Sequence, residues 1–176
     1  MNIMDIEEYI KFVNRTYNKT CSHRAVLPYL VGIHVDKPCD ILDFGAGKDA
    51  LGTLYLRNLG YKVTAFDIGE NFVEGLHDPD AIKPGHEYRV VMASNVVNVQ
   101  PAKEDVVELF ALAARLAPIF FFNYPDKPRK SGLKMKEIVE IAKRFYESVE
   151  PMGISGSKAG YCRVCCKLRK TDSEVK

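Results

Sequence analysis

Apolar residues recur with two different periods along this chain. Near the N-terminus, Ile3, Ile6, Ile10, Val13 and Tyr17 fall at roughly helical spacing and predict a first helix. A second helix is expected over residues 22–33, ending before Asp36-Lys37-Pro38. From Pro38 onward, short apolar runs alternate with helical faces. Residues 39–44, 61–67, 88–94 and 119–124 read as strands. Between them, Leu51, Leu54, Tyr55 and Leu59 mark one helix face, which Gly60 stops. Pro101 and Glu104-Asp105 open a longer helix that reaches Ala117. Met135, Ile138, Val139, Ala142, Phe145 and Tyr146 mark the last helix. Ile119-Phe120-Phe121-Phe122 shows no polar alternation, so that strand is expected to be covered on both faces.

Strands alternating with helices predict an α/β fold, a Rossmann-like, doubly wound and mostly parallel sheet. Two more strands are expected at 148–154 and 161–168. Ser155-Gly156-Ser157-Lys158-Ala159-Gly160 is too short for a crossover, so these two should form a C-terminal antiparallel hairpin. Residues 71–85 are rich in turn-formers, and an abbreviated segment is expected there. The expected organisation is an N-terminal helical extension at 1–36, one domain at 37–170 and a disordered tail at 171–176.

One turn carries most of the chemistry. In Leu42-Asp43-Phe44-Gly45-Ala46-Gly47-Lys48 a strand ends, glycines permit a tight turn and close ligand approach, and a helix follows. Asp67 closes the next strand, where a carboxylate can accept both ribose hydroxyls of an adenosine. Gly45-Ala46-Gly47-Lys48-Asp49-Ala50 also satisfies the dinucleotide pattern G-x-G-x-x-A, so a nicotinamide or flavin dinucleotide is the rival ligand. Asp43, two residues before the first glycine, would repel a pyrophosphate. It would favour the cationic ammonium of S-adenosylmethionine (SAM), with Lys48 balancing the methionine carboxylate.

Leu42 to Lys48 together with Asp67 resemble motifs I and II of class I SAM-dependent methyltransferases. The terminal hairpin also matches the layout of that superfamily. Leu42 to Lys48, Ala93 to Gln100 and Asn123 to Lys130 are similar to small methyltransferases of bacteriophage genomes, over about three quarters of the chain. The resemblance implies methyl transfer from SAM and a seventh strand between residues 72 and 86. It implies a cofactor site of Asp43, Phe44, Gly45, Ala46, Gly47, Lys48, Asp67, Ile68 and Ser94, with Asp80 near the adenine. Asn95 occupies the position beside the transferred methyl group and is the candidate substrate-facing residue. Tyr124 is a second candidate, as a general base or a ring-stacking surface. His23 and Asp126 are weaker candidates for a base.

Net charge is +2 in total, but residues 123–170 alone carry +7. Lys127, Arg129, Lys130, Lys134 and Lys136 are candidate phosphate contacts, so a nucleic acid or nucleotide is the favoured acceptor. The alternatives are a small-molecule acceptor, or a SAM-binding regulator that transfers nothing. The base-methylation signature D/N/S-P-P-aromatic is missing after Ser94, and no Pro-Cys pair stands where a cytosine-C5 nucleophile would. No run of about 18 apolar residues predicts a membrane span, and Met1-Asn2-Ile3-Met4-Asp5 lacks a secretory pattern. A cytoplasmic location is expected, with the 5 cysteines reduced. Cys162, Cys165 and Cys166 are expected to be small apolar strand residues, not metal ligands.

Overall fold

The structure, a computed structural model of the chain, describes residues 26–124, 130–152 and 162–166. The expected helix over 3–17, the start of the second helix and the tail at 171–176 lie outside the described residues. So do Lys127, Arg129 and the 153–161 connection.

Helix α1 (Val26–His34) leads into strand β1 (Asp40–Phe44), helix α2 (Leu51–Asn58) and strand β2 (Lys62–Phe66). Then follow β3 (Val90–Ala93), α3 (Lys103–Leu116), β4 (Ile119–Asn123), α4 (Met135–Ala142), β5 (Ser148–Met152) and β6 (Cys162–Cys166). The sheet order is β2-β1-β3-β4-β6-β5. The first four strands are parallel, in registers that include Phe44 opposite Phe66 and Met92 opposite Phe121. Strand β6 runs antiparallel to both β4 and β5 and lies between them. The chain therefore moves from β1 outward to β2, then returns to β3 on the other side of β1. That reversal opens a crevice beyond the carboxyl ends of β1 and β3.

Side-chain alternation divides the core into two halves. Leu42, Val91, Ala93, Phe120 and Phe122 join Val106, Leu109 and Phe110 of α3 and Ile138 and Ile141 of α4 on one face. Ile41, Val63, Val90, Met92 and Phe121 join Leu27, Leu30 and Val31 of α1 and Leu56 of α2 on the other. The Phe run of β4 is buried on both faces, as its lack of alternation required. Phe110 meets Phe120 and Phe122 edge to face, with ring centroids 5.3 and 5.2 Å apart.

Two local signals set element ends as the sequence indicated. Gly60, at φ 91°, donates its N–H to Arg57 O (2.9 Å), and Tyr61 N–H reaches Leu56 O (3.1 Å). This is the Schellman closure that a glycine past a helix end makes. At the start of α3, the Asp105 carboxylate accepts the Ala102 N–H at 2.9 Å. Helix α4 stops at Ala142, earlier than the apolar spacing predicted. Tyr146 is nonetheless buried, held by a turn in which its N–H bonds Ala142 O at 3.0 Å.

The expected seventh strand is missing among the described residues of 72–86. One parallel bridge, Ala65 to His77, stands in its place beside β2.

Truncating Phe110→Ala should cost about 3–5 kcal/mol, because the cavity would face two rings that cannot collapse into it. Leu54→Ala, on a half-exposed side chain, should stay within about 0.5 kcal/mol. Urea unfolding of both variants against the unmodified chain measures the contrast.

Candidate functional site

The turn after β1 is built by backbone bonds. Gly45 and Ala46 both donate their N–H to Phe66 O, at 2.8 and 3.0 Å, which ties the end of β1 to the end of β2. Gly45 and Gly47 each sit at φ 74°, a conformation that side chains disfavour. At Gly45 a Cβ would also overlap the Val96 side chain, so the position is closed to larger residues on both counts.

Asp67 follows β2 and is 9% exposed. Its Oδ2 accepts the Gly47 N–H at 2.7 Å, and its Oδ1 accepts its neighbour's N–H, from Ile68, at 2.8 Å. Each oxygen keeps lone-pair capacity for another donor. Phe44 and Phe66 stack beside the turn, with centroids 5.3 Å apart.

A cleft of about 560 Å³ opens at this place, a size typical of small-ligand sites. Phe44, Gly45, Gly47, Phe66, Asp67 and Ile68 line it from the ends of β1 and β2. Ser94, Asn95 and Val96 line it from the end of β3, and Asp105, Glu108, Leu109 and Leu112 from α3. Among the described residues, the charged side chains on this wall are all carboxylates: Asp67, Asp105 and Glu108. A larger hollow, about 1160 Å³, lies at the opposite pole, against the amino ends of β1, β3 and β4. It has no glycine turn, and the one strand carboxyl end it includes, Pro151-Met152 of β5, offers no polar side chain, so volume does not single out the site.

Asn95 is the other feature of the cleft. It adopts φ 63°, which asparagine tolerates better than most residues. Its backbone N–H donates to Asn123 Oδ1 at 2.6 Å, and Asn123 Nδ2 donates to Asn95 Oδ1 at 2.7 Å. A backbone N–H can only donate, so it fixes which way the Asn123 amide faces, and that in turn orients Asn95. Asn123 is 4% exposed.

The structure thus gathers Phe44, Gly45, Gly47, Asp67, Ile68, Ser94 and Asn95 on one wall. It corrects other expectations. Tyr124 is fully buried: its hydroxyl donates to Leu133 O at 2.7 Å and lies 3.2 Å from Ser131 Oγ. Burial raises its pKa, so the phenol is core structure and neither a stacking surface nor a base. Asp80 is exposed and pairs with Lys83 at 2.6 Å in a surface turn, away from the cleft. Lys48 is exposed, and Ala46 contributes only backbone to the turn. Lys130, Lys134 and Lys136 are exposed and not part of the cleft wall. Asn123, Asp105, Glu108 and His77 were not expected at the site. Asp105 was legible in principle, as the acidic first turn of a helix that follows the Asn95 segment. His77 and Asn123 matter only through partners distant in sequence, which no spacing reveals.

Comparison with known proteins adds the family. A family model described as "Tellurite resistance protein TehB" matches residues 4–114, more than half of the chain. The chain belongs to the TehB family. Two Haemophilus influenzae proteins described as "Probable S-adenosyl-L-methionine-dependent methyltransferase TehB" are each 28% identical over 96 residues. That stretch is 54% of this chain and 32% of theirs, so the TehB-family chain spans about a third of the curated relatives it matches. A TehB-like SAM-dependent methyltransferase from Corynebacterium glutamicum shares the fold at TM-score 0.65 and 15% identity, covering 92% of this chain and 97% of its own. Magnesium protoporphyrin IX methyltransferase from Synechocystis, with bound SAM, does so at TM-score 0.61 and 18% identity, covering 94% and 85%. These relatives lend no support to a bacteriophage subgroup.

Asp43 has a different surrounding from the one expected of it. In this TehB-family chain it is 2% exposed and is not on the cleft wall. Its Oδ2 accepts the Thr53 hydroxyl at 2.8 Å, which ties β1 to the first turn of α2. Burial pushes its pKa up to about 6, against the opposing pull of the Thr53 hydrogen bonds. The folded chain therefore binds a proton more tightly than the unfolded chain. The stability linked to that proton is full below about pH 4, falls as pH rises through about 6, and is flat above. Relative to Asp43→Asn, the unmodified protein should lose about 3 kcal/mol between these limits. Urea unfolding of both proteins from pH 4 to 7 measures it. A constant difference would mean that Asp43 ionises as an ordinary surface carboxylate.

Proposed function

We propose that this chain is a SAM-dependent methyltransferase acting on a small neutral or cationic molecule. The observation that carries the reading is Asp67, its two oxygens oriented by the Gly47 and Ile68 N–H groups at the edge of the cleft. A carboxylate so placed suits paired ribose hydroxyls. The donor set also fits the rest of SAM. Space beside Gly47 is open where a side chain would otherwise stand, and the cleft's charges suit a sulfonium and an ammonium. Among the described residues, a dinucleotide pyrophosphate would meet three carboxylates there and no cationic side chain. The SAM-dependent relatives in the TehB family support the same cofactor.

Bound SAM supplies an already electrophilic methyl group. What remains for the protein is to hold the acceptor in line, and positioning alone lowers such barriers substantially. Asn95, held by Asn123, is the residue proposed to do this, with Val96, Leu109 and Leu112 as the apolar part of the cleft wall beside it.

The charge of the wall also bears on the acceptor. A polyphosphate strand would be repelled by Asp67, Asp105 and Glu108, and the described lysines of the basic segment stand elsewhere. A nucleic-acid acceptor, expected from the basic C-terminal third, therefore gains no support. The magnesium protoporphyrin and 1,6-didemethyltoxoflavin enzymes of similar fold are named for small acceptors, which supports the size of the acceptor in this reading and not its charge, since a protoporphyrin bears two carboxylates.

Titration calorimetry with SAM, S-adenosylhomocysteine (SAH) and NADH tests the cofactor. SAM and SAH should bind and NADH should not. Asp67→Ala should weaken SAM by roughly tenfold or more, the loss of charge-assisted hydrogen bonds. Binding of NADH in preference to SAM, or of neither, would overturn the reading. A tritiated-methyl screen of small metabolites and of nucleic acid then distinguishes the acceptor classes.

A further inference from the structure

We propose that His77 is a positioning residue: its ring pins the Gly47 carbonyl and thereby keeps the Gly47 N–H on the ribose-binding oxygen of Asp67. The inference rests on the adenosyl-cofactor reading above and assigns a role to a residue outside the cleft wall.

The geometry of the ring decides its protonation. His77 is 5% exposed. Its Nδ1 lies 3.0 Å from the Val73 backbone N–H, which can only donate, so Nδ1 carries no proton. Its Nε2 is then the N–H and donates to Gly47 O at 2.9 Å. The backbone of His77 is itself anchored. Its N–H bonds Val73 O at 3.0 Å, and the following Asp78 N–H bonds Ala65 O of β2 at 2.8 Å.

Gly47 needs such restraint. It sits at φ 74°, and a Cβ built there meets nothing within 4 Å among the described residues, so no packing holds it from that side. Hydrogen bonds do so instead. The peptide plane before its Cα is held by Asp67, at 2.7 Å. The plane after it is held by His77 and by the Ala50 N–H, which reaches Gly47 O at 3.1 Å. Without the imidazole, the second plane keeps one weak restraint, the residue regains rotation, and the Gly47 N–H no longer fixes the Asp67 carboxylate.

Two substitutions separate positioning from simple support of the 73–77 turn. His77→Asn keeps an acceptor near the Nδ1 position for Val73 but cannot reach Gly47. His77→Gln places an amide N–H at the reach of Nε2 and keeps Gly47, but gives up the acceptor for Val73. Titration calorimetry with SAM and SAH should show the Asn variant weakened roughly tenfold or more, and the Gln variant within about threefold of the unmodified chain. Variants that bind like the unmodified chain, or that lose affinity equally, would overturn the inference. Circular dichroism melts report whether each variant folds. If neither does, long-range proton–nitrogen spectra of His77 in the unmodified SAH complex decide: an Nε2–H ring supports the inference, and an Nδ1–H or doubly protonated ring overturns it. An unmodified chain that binds neither SAM nor SAH would instead sink the cofactor reading.

Discussion

The bond from the Gly47 N–H to Asp67 Oδ2 joins the ends of two parallel strands that otherwise diverge as they leave the sheet. Strands β1 and β2 are in register from Asp40 opposite Lys62 to Phe44 opposite Phe66. Past that point the ladder ends and the chain turns away on both sides. Phe66 O takes two N–H groups from the β1 turn, and the Asp67 carboxylate takes a third. The sheet's hydrogen bonding is thereby continued by one side chain, which also remains able to accept from a ligand. Phe44 stacks on Phe66 at the last rung of the ladder, and the open space at Gly47 and the His77 contact lie just beyond it.

Charge is distributed by distance from this turn. The cleft wall carries carboxylates. Lys130, Lys134, Lys136, Lys143 and Arg144 of the C-terminal third stand exposed on α4 and the segments just before and after it. Asp43, which sequence position alone would assign to the cleft, is instead buried between β1 and α2 with Thr53 as its donor. The two acids thus have different surroundings. Asp67 lies on the cleft wall, while Asp43 bears a desolvation cost that the Thr53 hydroxyl offsets only in part.

The strands, the glycine turn and Asp67 were legible in the sequence, because each is a local pattern: apolar runs, a G-x-G turn and an acid one strand later. Gly60 and Asp105 were legible for the same reason, as helix ends obey short-range bonding rules. What was not legible depends on the path of distant chain. Tyr124 read as a ring at a strand's carboxyl end, but the chain returns through Leu133 and covers it. Asp80 read as an adenine contact, yet Lys83 and Asp78 hold it in a surface turn. Asn123 was legible only as the end of a strand, since its partner Asn95 follows another strand. His77 carries no local signal, and a single bridge to β2 brings it against Gly47, 30 residues away.

That lost strand also changes what the sheet shows to its surroundings. Among the described residues β2 is an outermost strand, and an outermost strand is a template on which a foreign chain can continue the ladder. Here the template is short and obstructed. Ala65 O is already taken by the Asp78 N–H, and Val63 O by the Arg57 guanidinium, at 2.9 and 2.7 Å from its two nitrogens. Lys62 stands charged at the strand's start. By occupying these carbonyls, the 73–78 segment and one helix side chain leave an added strand fewer acceptors along β2, where a further strand would only have moved the open edge outward.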